Sequence, residues 1–381
     1  MREKITKEIL KIKNNNLLLE LPTGTGKTKI SLEKVVSLGF KNHEILIVIP
    51  RLVLINSWKE EIKKWGYKIN PTFVTYGSLY KMAGEWDIIV FDECHHLSER
   101  CREALTSFNI KYSILLSATV KPSLKDELSE VFNNLYFYKV KLREAIENEV
   151  LPDPVVVLCP LRLNNTRATE FYSINDKKPG YYKDYEYQFR WEPIRNKIKA
   201  KIHCTEQQYY DELSYKIMWW KKQYFRTKNK GVQAKWLQLA GERLKWLSDK
   251  KTNYVKALLR RFKDERVLVF CNSIEQAEEI CSNNITSKNE ESQLILNKFN
   301  SGKINHISAC NMLNEGINLS NCKIGIYANL NSTETIIKQR TGRLLRHEEP
   351  IIIIPYYVGT RDEELVNKML EDYNPALIKK V

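Results

Sequence analysis

The sequence predicts an α/β protein built as two parallel-sheet lobes with a helical insertion between them. Three observations carry that expectation. Short apolar runs alternate with amphipathic stretches from Leu17 to about residue 140, the same alternation resumes at Arg266, and the segment between them changes composition. A chain of 381 residues also exceeds what a single hydrophobic core serves, so two or three folded units are the natural division.

The first lobe is expected over 1–155. Its strands are the runs LLLEL, EILIVIP, TFVTY, DIIVFDE and YSILLSAT, with helical stretches such as the one from Lys27 and WKEEIKKW between them. Continuous apolar runs are what strands covered on both faces require. The second lobe, 253–381, follows the same plan with RVLVFCN, HISAC, KIGIYAN and PIIIIPYY. The insertion, 156–252, starts in the Pro-rich stretch LPDPVVVLCP and holds 17 of the 40 aromatic residues. Its stretches 205–227 and 231–262 keep apolar residues at helical spacing, as in Trp236, Leu237, Leu239, Ala240, Leu244 and Leu247.

Charge separates these regions further. The net charge is +15, and from Lys177 to Lys263 there are 23 basic against 8 acidic residues, so the entire excess lies in and beside the insertion. A field this concentrated implies a polyanionic partner such as nucleic acid. Clusters such as WWKKQYFRTKNK interleave bases with aromatics, which makes Lys221, Lys222 and Arg226 candidate phosphate contacts and the aromatics either stacking surfaces or the insertion's own core. No apolar run is long enough to span a membrane, no secretory signal is visible at the N-terminus, and a cytoplasmic location is expected. The eight cysteines form no CxxC pair, so reduced thiols and no zinc are expected.

LPTGTGKT, Leu21 to Thr28, follows the run LLLEL and precedes the helical stretch KISLEKVVSL, the strand, loop, helix context of a phosphate-binding loop. Pro22, Thr23, Gly24, Thr25 and Gly26 form the cradle, Lys27 reaches the β and γ phosphates, and Thr28 holds Mg²⁺. Leu21 stands where the strict pattern has glycine. DIIVFDECHH ends an apolar strand with a carboxylate pair: Asp92 is the candidate Mg²⁺ ligand and Glu93 the group that orients and deprotonates the attacking water.

These two motifs resemble those of the superfamily 2 helicases, whose fold is a pair of RecA-like lobes. The resemblance extends through VIPRLVLINSWKEEI (48–62, motif Ia), TYGSL (75–79, Ib), SATV (117–120, III), VLVFCNSIEQAE (267–278, IV), MLNEGINLS (312–320, V) and QRTGRLLR (339–346, VI), in the family's order. Arg343 and Arg346, three residues apart on one helix face, suit the role of arginine fingers. The resemblance implies that Gln339 contacts the γ-phosphate or the attacking water, and that His95, Ser117 and Thr119 couple the ATP site to lobe movement. It places Glu315 and Gly316 where nucleotide and strand are both sensed, and makes Arg51, Thr75, Tyr76, Asn272 and Ser273 strand contacts that read no sequence.

Within the family, the Gln-containing adenine motif and the motif VI His of DEAD-box RNA helicases have no counterpart, Gln339 standing in for that His. SWKEEIKKW, DECHH and KLREAIENEVLPDP look more like the branch of the XPB and phage UvsW-type DNA helicases and restriction-enzyme translocases. The expectation is an ATP- and Mg²⁺-dependent DNA helicase or translocase, a monomer acting on single-stranded, forked or branched DNA with 3′ to 5′ tracking. An RNA helicase and the motor of a restriction-type nuclease complex are the alternatives.

Overall fold

The computed structural model describes residues 2–39, 44–167, 169–174, 191–194, 197–310, 319, 322–330, 342, 344–345 and 347–381. The first lobe is a six-stranded sheet of β1 (Asn16–Glu20), β2 (Ile45–Ile49), β3 (Thr72–Thr75), β4 (Gly84–Phe91), β5 (Phe108–Ser117) and β6 (Tyr136–Lys139), in the order β3-β2-β4-β5-β1-β6. Every pairing in it is parallel. Side chains alternate between the faces, and both faces are apolar: Leu17, Leu19, Ile47, Ile49 and Val90 on one, Leu18, Leu46, Val48, Ile89 and Phe91 on the other. Helices α1 (Arg2–Lys11), α2 (Lys27–Ser37), α3 (Leu54–Lys64) and α6 (Leu142–Glu147) cover the first face, while α4 (Glu99–Ala104) and α5 (Pro122–Val131) cover the second. Strands β1 and β4 both end at the carboxyl edge of the sheet's middle, where the loops carrying Lys27 and Asp92 emerge.

The second lobe is a seven-stranded, all-parallel sheet in the order β12-β13-β11-β14-β15-β7-β16. Its strands are β7 (Val155–Leu161), β11 (Val267–Cys271), β12 (Asn284–Ile285), β13 (His306–Cys310), β14 (Ile324–Tyr327), β15 (Ile351–Tyr357) and β16 (Ile378–Lys380). Strand β7 opens the stretch expected as the insertion, 156–252, yet pairs along its whole length with β15, from Val155 opposite Ile351 to Leu161 opposite Tyr357, so the insertion proper starts after Leu161. The insertion therefore leaves and re-enters the second lobe. Among the described residues, helices α9 (Thr252–Arg261), α10 (Ile274–Ile280), α11 (Ser292–Asn300) and α12 (Arg361–Leu370) belong to this lobe.

The insertion itself has two parts. Three antiparallel strands, β8 (Thr169–Ile174), β9 (Trp191–Ile194) and β10 (Lys197–Cys204), pair in the order β8-β10-β9, a small sheet that the helical reading of this region does not anticipate. Only β10, KIKAKIHC, alternates at a period of two, with lysine at 197, 199 and 201; β8 (TEFYSI) and β9 (WEPI) are short and carry no such pattern. The second part is a hairpin of two long helices, α7 (Glu206–Thr227) and α8 (Lys230–Lys250). Thr205 and Gln208 cap α7 reciprocally, and Asn229 caps α8 through the amides of Gly231 and Val232. Leu213, Ile217 and Leu239 are buried between the helices with Tyr209, Trp220, Trp236 and Ala240 against them. At the base, Tyr210, Leu247, Leu163 and Tyr357 pack together with Trp246, fixing the hairpin to β15. Trp219, by contrast, is exposed. All eight cysteines are free thiols, and all but Cys281 are buried. Among the described residues no helix is long and apolar enough to cross a membrane.

Candidate nucleotide site and nucleic-acid surface

The loop Leu21–Gly26 bridges the carboxyl end of β1 and the first turn of α2. It is strapped to the neighbouring strand because the Leu21 amide donates to the Ser117 carbonyl at 2.9 Å. Gly24 and Gly26 have φ of 94° and 91°, left-handed values that glycine adopts without penalty, and Gly26 sits at the start of α2. Thr25 is buried and donates to the Pro22 carbonyl at 2.8 Å, which closes the loop on itself. Lys27 and Thr28 then fall in the first helical turn, where unpaired amides and the helix dipole favour an anion.

Lys27 Nζ lies 3.2 Å from Glu93 Oε1, with both side chains largely buried. Glu93 occupies a left-handed conformation, φ 51°, ψ 58°, which is strained for a non-glycine residue and turns its carboxylate toward the loop. Asp92 lies just past the end of β4, its carboxyl pushed above the usual range by burial and then by the neighbouring Glu93 charge, with Lys27 and Trp58 acting against both. Adjacent buried carboxylates and a threonine hydroxyl are hard oxygen donors, the set that suits Mg²⁺. With few protein oxygens to offer, such a donor set fits a cation that brings water and phosphate oxygens of its own.

His95 joins this cluster to the end of β5: Nδ1 is 3.2 Å from Ser117 Oγ and 3.4 Å from Glu93 Oε2. Ser117 is fully buried, donates to the Thr119 carbonyl at 2.8 Å and accepts from the Thr119 amide at 3.3 Å. His95, Ser117 and Thr119 thus form one connected chain from Glu93. Sequence reasoning missed Trp58, whose Nε1 donates to Asp92 Oδ2 at 3.1 Å from within α3. Its only signal is the repeated tryptophan in SWKEEIKKW.

The second lobe reaches this site through Gly342. A β-carbon there would lie 2.4 Å from Thr23 Cβ and 2.6 Å from the Thr23 carbonyl oxygen, so backbone meets backbone across the lobes. Gly24 is close to Leu151 and to the Gly342 carbonyl, and a cavity of about 630 Å³ opens beside it, lined by Glu149, Asp153, Leu345 and His347 among others. Gln339, Arg343, Arg346, Glu315 and Gly316 lie outside the described residues; of their neighbours, Gly342 meets Thr23 and Leu345 lines the cavity beside Gly24.

Of the expected strand contacts, Arg51 is exposed just before α3 and Thr75 is half-buried at the end of β3. Tyr76 departs from the expectation. Its ring is buried and its hydroxyl donates to the Asp92 carbonyl at 2.7 Å, so the side chain serves the carboxylate strand and is turned away from any groove. Ser273 caps α10 by accepting from the Gln276 amide, and the Asn272 amide donates to Gln276 Oε1. Lys221, Lys222 and Arg226 are exposed on α7, with Lys221 Nζ over the Trp236 ring. Tyr215, Met218, Trp219 and Phe225 share that outer surface of the hairpin.

Two family models match the chain: Type III restriction enzyme, res subunit, over residues 1–80, and Helicase conserved C-terminal domain over 250–348. The chain is 26% identical over 392 residues to the DNA 3′-5′ translocase XPB2 of Sulfurisphaera tokodaii, covering 94% of this chain and 82% of that one. Among solved structures it is similar to S. cerevisiae Dbp5 bound to RNA and ADP BeF3, with a TM-score of 0.62 at 11% identity over 100% of this chain and 88% of that chain. It is similar also to a putative HsdR subunit of a type I restriction enzyme from Vibrio vulnificus, with a TM-score of 0.59 at 16% identity over 100% and 67%. At these identities the structural likenesses speak for the fold of two RecA-like lobes, and the sequence matches speak for the family. By these matches the chain resembles the superfamily 2 helicases of the XPB-like branch and is a nucleic-acid-dependent ATPase.

Proposed function

We propose that this chain is an ATP- and Mg²⁺-dependent DNA translocase or helicase acting on duplex, forked or branched DNA. The observation that carries the reading is the cluster of Lys27, Glu93 and Asp92 on the first lobe faced at backbone contact by Gly342 of the second. Lys27 binds the β and γ phosphates, Thr28 and Asp92 hold Mg²⁺, and Glu93 orients and deprotonates water. Arg343 and Arg346 stabilise charge on the γ-phosphate when the lobes close, and each cycle of closure and release moves the strand. Mg²⁺, when bound, would neutralise phosphate charge.

Preference for DNA, and for 3′ to 5′ movement, is supported by the name of the XPB2 relative and by the res-subunit match over 1–80. That match also supports the second reading, a motor working within a restriction-type complex. The lobes supply the ATP chemistry, and the insertion supplies DNA grip through Lys221, Lys222 and Arg226, exposed on a hairpin whose segment holds the whole basic excess. Steady-state ATPase against single-stranded, duplex, forked and four-way DNA and structured RNA tests the assignment. Strongest stimulation by a DNA substrate is expected, and stimulation by RNA alone would replace it with the RNA helicase reading.

A further inference from the structure

Asp92 is held from three sides. Its Oδ2 accepts from Trp58 Nε1 at 3.1 Å, its carbonyl accepts from the Tyr76 hydroxyl at 2.7 Å, and its amide donates to the Val48 carbonyl at 2.8 Å. The third bond is ordinary sheet pairing. The first two come from side chains of segments that are separate from the phosphate loop, α3 and the short 3₁₀ turn Tyr76–Met82. Both rings are buried, Trp58 at 2% exposure and Tyr76 at 7%, so water cannot easily stand in for either donor.

Each donor belongs to the same stiff piece of chain as a residue on the expected strand surface. The Arg51 carbonyl accepts from the amide of Leu54, the first residue of α3, and Trp58 follows one helical turn later, about 6 Å along the axis. Thr75 immediately precedes Tyr76, which opens its 3₁₀ turn. A shift at Arg51 or Thr75 is therefore passed to Asp92 through a helix and a turn, with no flexible loop between to absorb it. Simple core filling accounts for the Trp58 ring, which packs in the apolar cluster under α3, but it does not account for both polar ends meeting on one carboxylate residue.

We propose that Trp58 and Tyr76 are positioning residues that set Asp92 according to whether a nucleic-acid strand occupies the Arg51 and Thr75 surface. The inference rests on the function proposed above. When a strand seats on that surface, α3 and the Tyr76 turn shift as units and reorient the Asp92 carboxylate and backbone relative to Lys27. Linkage makes the effect reciprocal: nucleotide with Mg²⁺ at Asp92 changes strand affinity by the same factor that the strand changes nucleotide affinity.

The test uses the full chain and a fluorescein-labelled single-stranded DNA. Its dissociation constant is measured with and without a Mg²⁺-loaded, nonhydrolysable ATP analogue, and the ratio is the coupling factor. The wild-type factor is expected at about fivefold or more. Trp58→Phe and Tyr76→Phe remove the two donors while keeping a ring in place; each should lower the factor, and the double variant should bring it to about 1. A fold defect shows separately in the thermal melt and does not by itself change this ratio. Variants that keep the wild-type factor overturn the proposal, as does a factor lost because the analogue, titrated without DNA, no longer binds Trp58→Phe. A wild-type factor of 1 overturns it too, whereas an inactive wild-type ATPase is what would defeat the functional reading beneath it.

Discussion

Gly342 presses on Thr23 across the cleft, leaving no room for a β-carbon: the added atom would sit 2.4 Å from Thr23 Cβ and 2.6 Å from its carbonyl oxygen. A backbone oxygen cannot swing aside as a long side chain can, so Gly342→Ala must push the two lobes apart at the phosphate loop. A displacement near 1 Å at a reacting centre costs about 100-fold in rate, so DNA-stimulated kcat should fall by about that factor. Gly241→Ala, placed in open space on α8, should leave kcat as it is. The two turnover measurements, made side by side, check the claim that closure runs through this contact.

Lys27 offers its ammonium to Glu93 at 3.2 Å, and both groups are central to the proposed chemistry. Lys27→Ala should abolish ATP turnover, removing the phosphate contact and leaving Glu93 without this partner. Glu93→Gln keeps the shape and removes the base, so it should bind nucleotide yet turn it over slowly, by a factor on the order of 100 or more. Filter-binding of labelled nucleotide and a phosphate-release assay on both variants separate binding from chemistry. Normal DNA-stimulated hydrolysis by Lys27→Ala would overturn the assignment of the ATP site to this loop.

What was legible in the sequence was local. Leu21–Thr28 and Asp92–Glu93 announce themselves because each motif is a few adjacent residues flanked by an apolar run, and the fold class followed from the same alternation. The hydrogen bonds of Trp58 and Tyr76 to Asp92 span 34 and 16 residues and leave no pattern in composition. Strand β7 reads as the start of the insertion because its partner β15 lies almost 200 residues further on, and parallel pairing at that distance has no sequence signature. The hairpin's tryptophans divided in a way no period could reveal: Trp220, Trp236 and Trp246 pack inward, while Trp219 faces out.

The exposed charges of α7 give a quantitative handle on DNA grip. If Lys221, Lys222 and Arg226 each neutralise one phosphate, replacing all three by alanine should flatten the slope of log K against log salt by about 2 to 3. Binding isotherms for one duplex at four salt concentrations are sufficient. An unchanged slope would reduce these residues to a solvated surface.

Lys251 and Asp362 form an ion pair at 2.8 Å with side-chain exposures of 0% and 2%, joining the end of the α7–α8 hairpin to the start of α12. Neither charge has access to water, so removing one strands the other. Lys251→Met alone should destabilise the second lobe by about 3–5 kcal/mol, whereas Lys251→Met with Asp362→Leu should recover most of that loss. Denaturant melts of the two variants, read as midpoints at constant slope, check the coupling.

Glu20, the last residue of β1, is buried beside the phosphate loop between Lys125 and Lys139, each 2.8 Å from a carboxylate oxygen. Burial alone would raise its carboxyl, but hydrogen bonds and charge from the two lysines outweigh that and hold it below the ordinary value. A carboxyl depressed by folding contributes stability that is complete above its unfolded value and fades as acid titrates the folded group. In Lys125→Met with Lys139→Met the depression disappears and burial pushes the group up. The variant should then be least stable relative to wild type near pH 7, with the gap narrowing as pH falls toward about 4. Melting temperatures of both proteins across that range decide it; a gap independent of pH would mean that the lysines act on the first lobe by packing alone.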